Sequence, residues 1–194
     1  MKISVQNYLL KLLHAGIDLD FSSVVCRYGK FTMYCLIGPE ENIFQVTFAP
    51  KKHQRLLEQL QSLNPAVHFK TVSQREFIFD SMFAGYFSGS LTSFQIKTGD
   101  LPLVAAGSDF QQRVWEHMRA IPYGCTMTYG RLAQLAGSPG GARAVGMACR
   151  ANPLSLIIPC HRVVAENGLG GFAGGVTVKK NLLELEQGKG RKLH

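Results

Sequence analysis

The sequence contains no run of roughly twenty apolar residues, so it offers no membrane span. Its first residues, Met1-Lys2-Ile3-Ser4-Val5-Gln6-Asn7, lack the apolar core and cleavage site of a signal peptide. The protein is therefore expected to stay where it is made, in the cytoplasm or, in a eukaryote, the nucleus, with no membrane partner. Its five cysteines (Cys26, Cys35, Cys125, Cys149 and Cys160) are odd in number and unevenly spaced. That does not suit a disulfide framework and points to a reducing compartment. Cys26, Cys35 and the nearby histidines lack a zinc-binding spacing, so no metal is expected, and no cofactor. Internal repeats and low-complexity segments are also missing. Charged residues are only 18% of the chain against 46% hydrophobic ones, which is ordinary for a globular protein and excludes intrinsic disorder.

One further absence is local. The 194 residues carry a formal net charge of +8, yet between Ala120 and Ala165 there are Arg131, Arg143, Arg150 and Arg162 and no acidic residue. Scattered surface arginines would normally be interspersed with both signs, so this stretch is a candidate nucleic-acid face.

The patterning predicts an α+β protein in two halves. Residues 1–22, with Tyr8-Leu9-Leu10-Lys11-Leu12-Leu13, read as an amphipathic helix or N-terminal extension. Residues 23–99 form a small sheet-plus-helix domain. In it, β-branched and aromatic runs at 30–37 and 42–48 flank Gly38-Pro39-Glu40-Glu41 as antiparallel strands. Leu56, Leu57, Leu60 and Leu63 mark a helix over 54–63, and a second helix is expected over 75–87, ending at Gly89. Residues 93–107 lead out of this domain into residues 100–194, a mostly helical domain. There, Phe110, Val114, Trp115 and Met118 share a helical face after Ser108 or Asp109 as N-cap. A short helix capped by a threonine ends at Gly137, the turn Ser138-Pro139-Gly140-Gly141 follows, and a third helix over 142–151 closes at Asn152-Pro153. Two short helices across a glycine turn make a helix-turn-helix candidate. Ala144, Ala148 and Ala151, with Gly146 nearby, give the second helix a stripe with little bulk, suited either to close helix packing or to backbone approach on a groove, with Arg143 and Arg150 reaching outward.

The chemistry centres on Leu156-Ile157-Ile158-Pro159-Cys160-His161-Arg162-Val163-Val164. A cysteine beside an imidazole and a guanidinium is expected to sit in a field that favours the thiolate, its reactive form. Adjacent residues on a strand point to opposite faces, so Cys160 and His161 can cooperate only if the chain bends near Pro159.

Several motifs appear in order: Ser108-Asp109-Phe110-Gln111-Gln112-Arg113-Val114-Trp115, Ile121-Pro122-Tyr123-Gly124, Thr128-Tyr129, Arg143-Ala144-Val145-Gly146, Asn152-Pro153, Pro159-Cys160-His161-Arg162-Val163 and Gly171-Phe172-Ala173-Gly174-Gly175. This chain resembles the O6-alkylguanine-DNA alkyltransferases closely over 100–188. It does so loosely before that, at Phe83-Ala84-Gly85-Tyr86-Phe87-Ser88-Gly89.

The resemblance implies a DNA-repair enzyme that moves an alkyl group from O6-alkylguanine, and from O4-alkylthymine, irreversibly onto Cys160, working once, as a monomer on double-stranded DNA. It implies His161 and Glu186 as the groups assisting the thiol, with Glu184 the rival from the residues alone, and Asn152 as a brace for the turn. Tyr129 and Arg143 would rotate the nucleotide out and fill its place from the minor groove, with Thr128, Ala144, Gly146 and Arg150 at the DNA. The pocket would be formed by Cys149, Phe172, the backbone of Cys160 and Val163, and the N–H of Ala173, with the glycine-dense loop 168–175 as a movable wall. Phe172 stands where many members have tyrosine, and Cys149 where the side chain is often larger or an amide. Two other classes remain: a sensor that binds the lesion without transfer, and a thiol hydrolase, for which no oxyanion site is signalled.

Overall fold

The computed structural model describes residues 9–10, 12–94 and 107–188. The amino-terminal half is a four-stranded sheet in the order β3-β2-β1-β4, built from β1 (Asp20–Tyr28), β2 (Phe31–Ile37), β3 (Ile43–Thr47) and β4 (His68–Val72). β1 and β2 pair antiparallel, as do β2 and β3, while β4 runs parallel to β1. The parallel pair requires a crossover, supplied by α1 (Pro50–Leu63). This helix begins four residues before the leucine spacing suggested, because Pro50 occupies its first turn, where the missing N–H costs nothing.

The helix expected over 75–87 is split. Ser73 and Glu76 form a capping box around a 3-10 turn at Gln74–Glu76, and α2 (Asp80–Ser88) starts only afterwards, ending on Gly89 in the left-handed region. At the amino terminus, residues 9–10 and 12–14 are helical, and β1 starts at Asp20, inside the stretch read as an extension. Leu9, Leu12, Leu19 and Phe21 are buried with Leu36, Phe44, Leu56 and Leu60 in a core under the sheet. The lead-out segment at 93–107 lies mostly outside the described residues.

In the carboxy-terminal half, α3 (Asp109–Arg119) starts on a capping box in which Ser108 accepts from Gln111 N and Gln111 returns the bond. A two-residue pair, β5 (Met127–Thr128) with β6 (Val163–Val164), precedes α4 (Tyr129–Leu135). The Thr128 side chain caps α4 by accepting from Arg131 N at 3.2 Å. A turn containing Gly137 and Gly140, both at positive φ, leads into α5 (Ala142–Ala151), and α6 (Val176–Glu186) is the last element among the described residues. The helix-turn-helix is therefore α4-turn-α5, packed on α3, whose Trp115 Nε1 donates to Ala148 O at 2.9 Å.

The halves are joined by backbone. Val46 on edge strand β3 donates to Pro153 O at 2.9 Å and accepts from Ser155 N at 2.8 Å, so the turn after α5 extends the sheet. One large core runs across this seam, from Val24, Met33 and Phe83 to Trp115, Ile158 and Cys160. The segment that leads to the cysteine is thus held from both sides.

Candidate active site and nucleic-acid face

Between α5 and β6 the chain makes two tight turns. Leu156 adopts φ 73, a conformation that a bulky side chain rarely takes, and the surrounding bonds over-determine it. Asn152 Oδ1 accepts from Leu154 N at 2.9 Å, its Nδ2 donates to Ile158 O at 2.7 Å, and Ile158 N closes on Leu154 O. Asn152 is the brace the sequence reading expected. Beyond Pro159 the backbone bends, with Cys160 N donating to Ile158 O, and Cys160–Arg162 form a 3-10 turn. That turn supplies the bend needed for Cys160 and His161 to act together.

His161 is fully buried, and its Nε2 lies 2.7 Å from Glu186 Oε1. Glu186 also accepts from Tyr86 Oη at 2.6 Å, from Arg162 Nε and Nη2 at 3.0 and 2.9 Å, and from Gly124 N at 3.0 Å. Burial alone would raise this carboxyl, but the bonds from His161, Arg162 and Tyr86 hold it at about 2. It is therefore a carboxylate that can only accept. Hence Nε2 of His161 must carry the proton and donate, which leaves Nδ1 with a free lone pair. Nδ1 is the one buried side-chain nitrogen or oxygen among the described residues without a hydrogen-bond partner. Burial keeps the imidazole neutral, against the pull of Glu186. Glu184, the rival carboxylate, lies on the surface, 3.9 Å from Lys180.

The field expected to favour the thiolate is outweighed by burial, and its source is not the one expected. Cys160 is 5% exposed, and burial raises its thiol above the ordinary value. Arg162 does not offset this, because its guanidinium is committed to Glu186 and to Ile121 O. The charges that favour the anion come instead from Lys52 and Lys179, together with a hydrogen bond from Asn152. Lys179 is buried on α6 and donates to Val163 O at 2.6 Å and Gly171 O at 3.3 Å. Lys52, on α1, donates to Arg150 O at 3.0 Å and to Asn152 O, the last carbonyls of α5. Tyr86, Lys52 and Lys179 were missed from sequence. Lys179 and Glu186 had a signal, since they share the face of α6 that buries Leu182 and Leu183. Lys52 had none.

Cys160 opens onto a cavity of about 910 Å³ whose walls include Tyr129, Arg143, Gly146, Cys149, Arg150, Phe172 and Ala173. Tyr129 Oη donates to Gly171 O at 3.4 Å, and burial raises its hydroxyl to about 12, so it remains a donor. Gly170 packs directly on the Tyr129 ring, where a Cβ would come within 2.8 Å of Cε2. Phe172 lies 6.1 Å from Phe48, ring centre to ring centre. The loop expected to be a movable wall thus makes contacts with Tyr129, Lys179 and Phe48. Val163 is buried outside the cavity wall, its carbonyl accepting from Lys179, and the Thr128 hydroxyl accepts the capping bond of α4.

Of the two readings of the small-residue stripe, packing holds for most of it. Ala148 is buried against α3, Ala151 is half-buried and only Ala144 is exposed. The free face of α5 carries Arg143, Met147 and Arg150, one turn apart, with Met147 65% exposed. Spacing alone identified a stripe but not the side it faced.

Fold and site together define a helix-turn-helix protein with a buried cysteine set over a carboxylate-held imidazole. Residues 109–188 match the family model for the 6-O-methylguanine DNA methyltransferase DNA-binding domain. Among curated proteins, a methylated-DNA–protein-cysteine methyltransferase of Methanosarcina acetivorans is 39% identical over 152 residues, covering 78% of this chain and 89% of that protein. The Mycobacterium tuberculosis protein of the same name is 50% identical over 105 residues, 54% of this chain. The matched region spans about three fifths (61%) of that mycobacterial protein's length. The crystal structure of Mycobacterium tuberculosis OGT in complex with DNA superposes with a TM-score of 0.69 at 31% identity, covering 88% of this chain and 96% of that one. The chain belongs to the methylated-DNA–protein-cysteine methyltransferase family.

Proposed function

We propose that this protein repairs alkylated DNA by transferring the alkyl group of O6-alkylguanine to Cys160 in a single, irreversible event. The observation that carries the reading is the free Nδ1 of His161, a buried base whose other nitrogen is fixed by Glu186. His161, through one bridging water, takes the thiol proton, and Lys52 and Lys179 stabilise the developing thiolate. The sulfur attacks the alkyl carbon, the S–C bond forms as the C–O6 bond breaks, and the electron pair goes to the guanine. Tyr129 donates to the ring as that charge develops. The product is a thioether with no group beside it to resolve it, so the protein is consumed.

A base within a duplex cannot reach a buried sulfur, so the nucleotide must be flipped into the cavity. α5 enters the minor groove, Arg143 fills the vacated space, and Met147 and Arg150 lie along the groove floor and wall. The walls at Cys149, Phe172 and Ala173 then hold the base, with O4-alkylthymine as a second substrate. Each chain carries its own acceptor, base and arginine, which supports action as a monomer. The five unpaired cysteines support a reducing compartment such as the cytoplasm. The division into an amino-terminal domain over 23–99 and a transfer domain over 100–194 follows the same logic, since acceptor, base and groove helix all lie in the second.

The test is to incubate the protein with a duplex carrying O6-methylguanine and map the mass of each peptide. One methyl group on the peptide containing Cys160, with restored guanine in the DNA, is the expected result. Bound DNA with an unmodified Cys160 would instead identify a lesion sensor.

A further inference from the structure

The cavity above Cys160 is not built from the transfer half alone. Its rim includes Ala49, Lys51, Lys52 and Arg55, all from α1 or the residue before it. Lys51 and Arg55 are one helical turn apart and exposed, on the same cleft as Arg143 and Arg150. Among the described residues, none of these four cations has a carboxylate within ion-pair distance, and the cavity wall contains no acidic residue. By contrast, Arg162 and Lys180 both have acidic partners. Unpaired cations converging on one opening repel one another, so their arrangement is favourable only when a polyanion lies across them.

α1 is also held in place with some force. Lys52, between the two outward cations, turns inward and donates to Arg150 O and Asn152 O, clasping α1 to the carboxy-terminal end of the groove helix. A cation at that end is favoured by the exposed carbonyls and the helix dipole. On the other side, His53 bonds Gln45 at 2.8 Å and Ser23 at 2.9 Å, tying α1 to the sheet. The position of Lys51 and Arg55 relative to Arg143 and Arg150 is therefore fixed before anything binds.

We propose that the DNA-contacting surface extends onto α1, with Lys51 and Arg55 meeting backbone phosphates of the strand whose nucleotide is flipped. This contact lies outside the DNA-binding domain matched over 109–188 and rests on the function proposed above. Phosphate contacts of this kind position the duplex without reading its sequence.

The measurement is duplex affinity against salt, using an oligonucleotide carrying O6-methylguanine and the full chain. Each phosphate neutralised contributes about 0.9 to the slope of log K against log salt, so Lys51→Gln with Arg55→Gln should lower the slope by about 1.8. Between 50 and 200 mM salt the double variant should then lose about twelvefold less affinity than the parent. The charge-keeping pair Lys51→Arg with Arg55→Lys should retain the parental slope. A parental slope in the glutamine pair overturns the proposal while leaving the repair reading standing. An equal fall in both pairs also overturns it, since charge would not be the cause. A parent protein that does not bind the duplex sinks both.

Discussion

The two sides of Cys160 are built on opposite principles. Behind it, both oxygens of Glu186 are occupied: one carboxylate takes bonds from a histidine, a tyrosine, an arginine and a backbone amide, and His161 Nδ1 alone among the buried side-chain nitrogens and oxygens of the described residues is left as a free acceptor. In front of it, Arg143, Arg150, Lys51 and Arg55 line an open cleft with no carboxylate among the described residues to meet them. The closed side fixes a proton's location before substrate arrives. The open side leaves charge uncompensated, which the backbone of the proposed DNA substrate would compensate. A change behind the sulfur should therefore damage stability and chemistry together, whereas a change in front should damage DNA handling and little else.

The sharpest test is Glu186→Gln, which leaves Arg162 with a buried charge and no anion, and gives His161 a neutral amide, able to donate as well as accept, in place of the carboxylate that fixes its tautomer. Removing one partner of a buried ion pair costs about 3–5 kcal/mol, and losing the oriented base should slow transfer by about a hundredfold or more. Thermal unfolding and single-turnover transfer from free O6-benzylguanine measure the two effects. A variant with parental stability would show that the closed side is not the anchor described.

Acid should erode the same side. Glu186 has a folded value of about 2 against an unfolded value near 4.5, a depressed carboxylate. Its contribution is present above about pH 4.5 and is lost as pH falls toward 2, and it amounts to about 3 kcal/mol. Denaturant titrations between pH 5 and pH 2 should show this loss in the parent and its absence in Glu186→Gln. An identical acid limb in both would remove Glu186 as its source.

How much of this contrast could be seen in the sequence depended on how local each cause was. Caps and turns were legible: Ser108, Thr128, Gly89 and the glycine turn before α5 each act within a few residues of their position. So was the bend at Pro159, because the side-chain alternation of a strand made it necessary. The source of the field at Cys160 was misjudged because sequence adjacency stood in for spatial adjacency, and the turn sends Arg162 to Glu186 instead of the sulfur. The stripe of Ala144, Ala148 and Ala151 was left open between packing and groove approach, because helical spacing does not say which neighbour a stripe meets. Lys52 and Tyr86 reach the site from the other half of the chain, 100 residues from Asn152 and Glu186 respectively, and no local pattern marks them.

On the open side, Arg143→Ala should separate DNA handling from chemistry. Without a side chain to occupy the vacated stack, extrusion bears an uncompensated unstacking cost of a few kcal/mol. Transfer from duplex should fall by at least about tenfold, and much more than transfer from free base. Equal losses on both substrates would refute the role of Arg143 in flipping.

The smallest expected effect belongs to Thr128, which stands at the entry to the helix-turn-helix and was expected to touch DNA. Its hydroxyl accepts from Arg131 N and so completes the first turn of α4. Thr128→Ala should cost about 1 kcal/mol of stability, the usual loss for an N-cap. Because the residue contributes no charge to the cleft, the slope of duplex affinity against salt should match that of the parent. Thr128→Ser, which keeps the capping oxygen, should recover most of the stability. If the alanine variant instead kept full stability and lost duplex affinity that serine restored, the hydroxyl would belong to the open side, and the boundary between the two would lie one residue earlier than the capping bond places it.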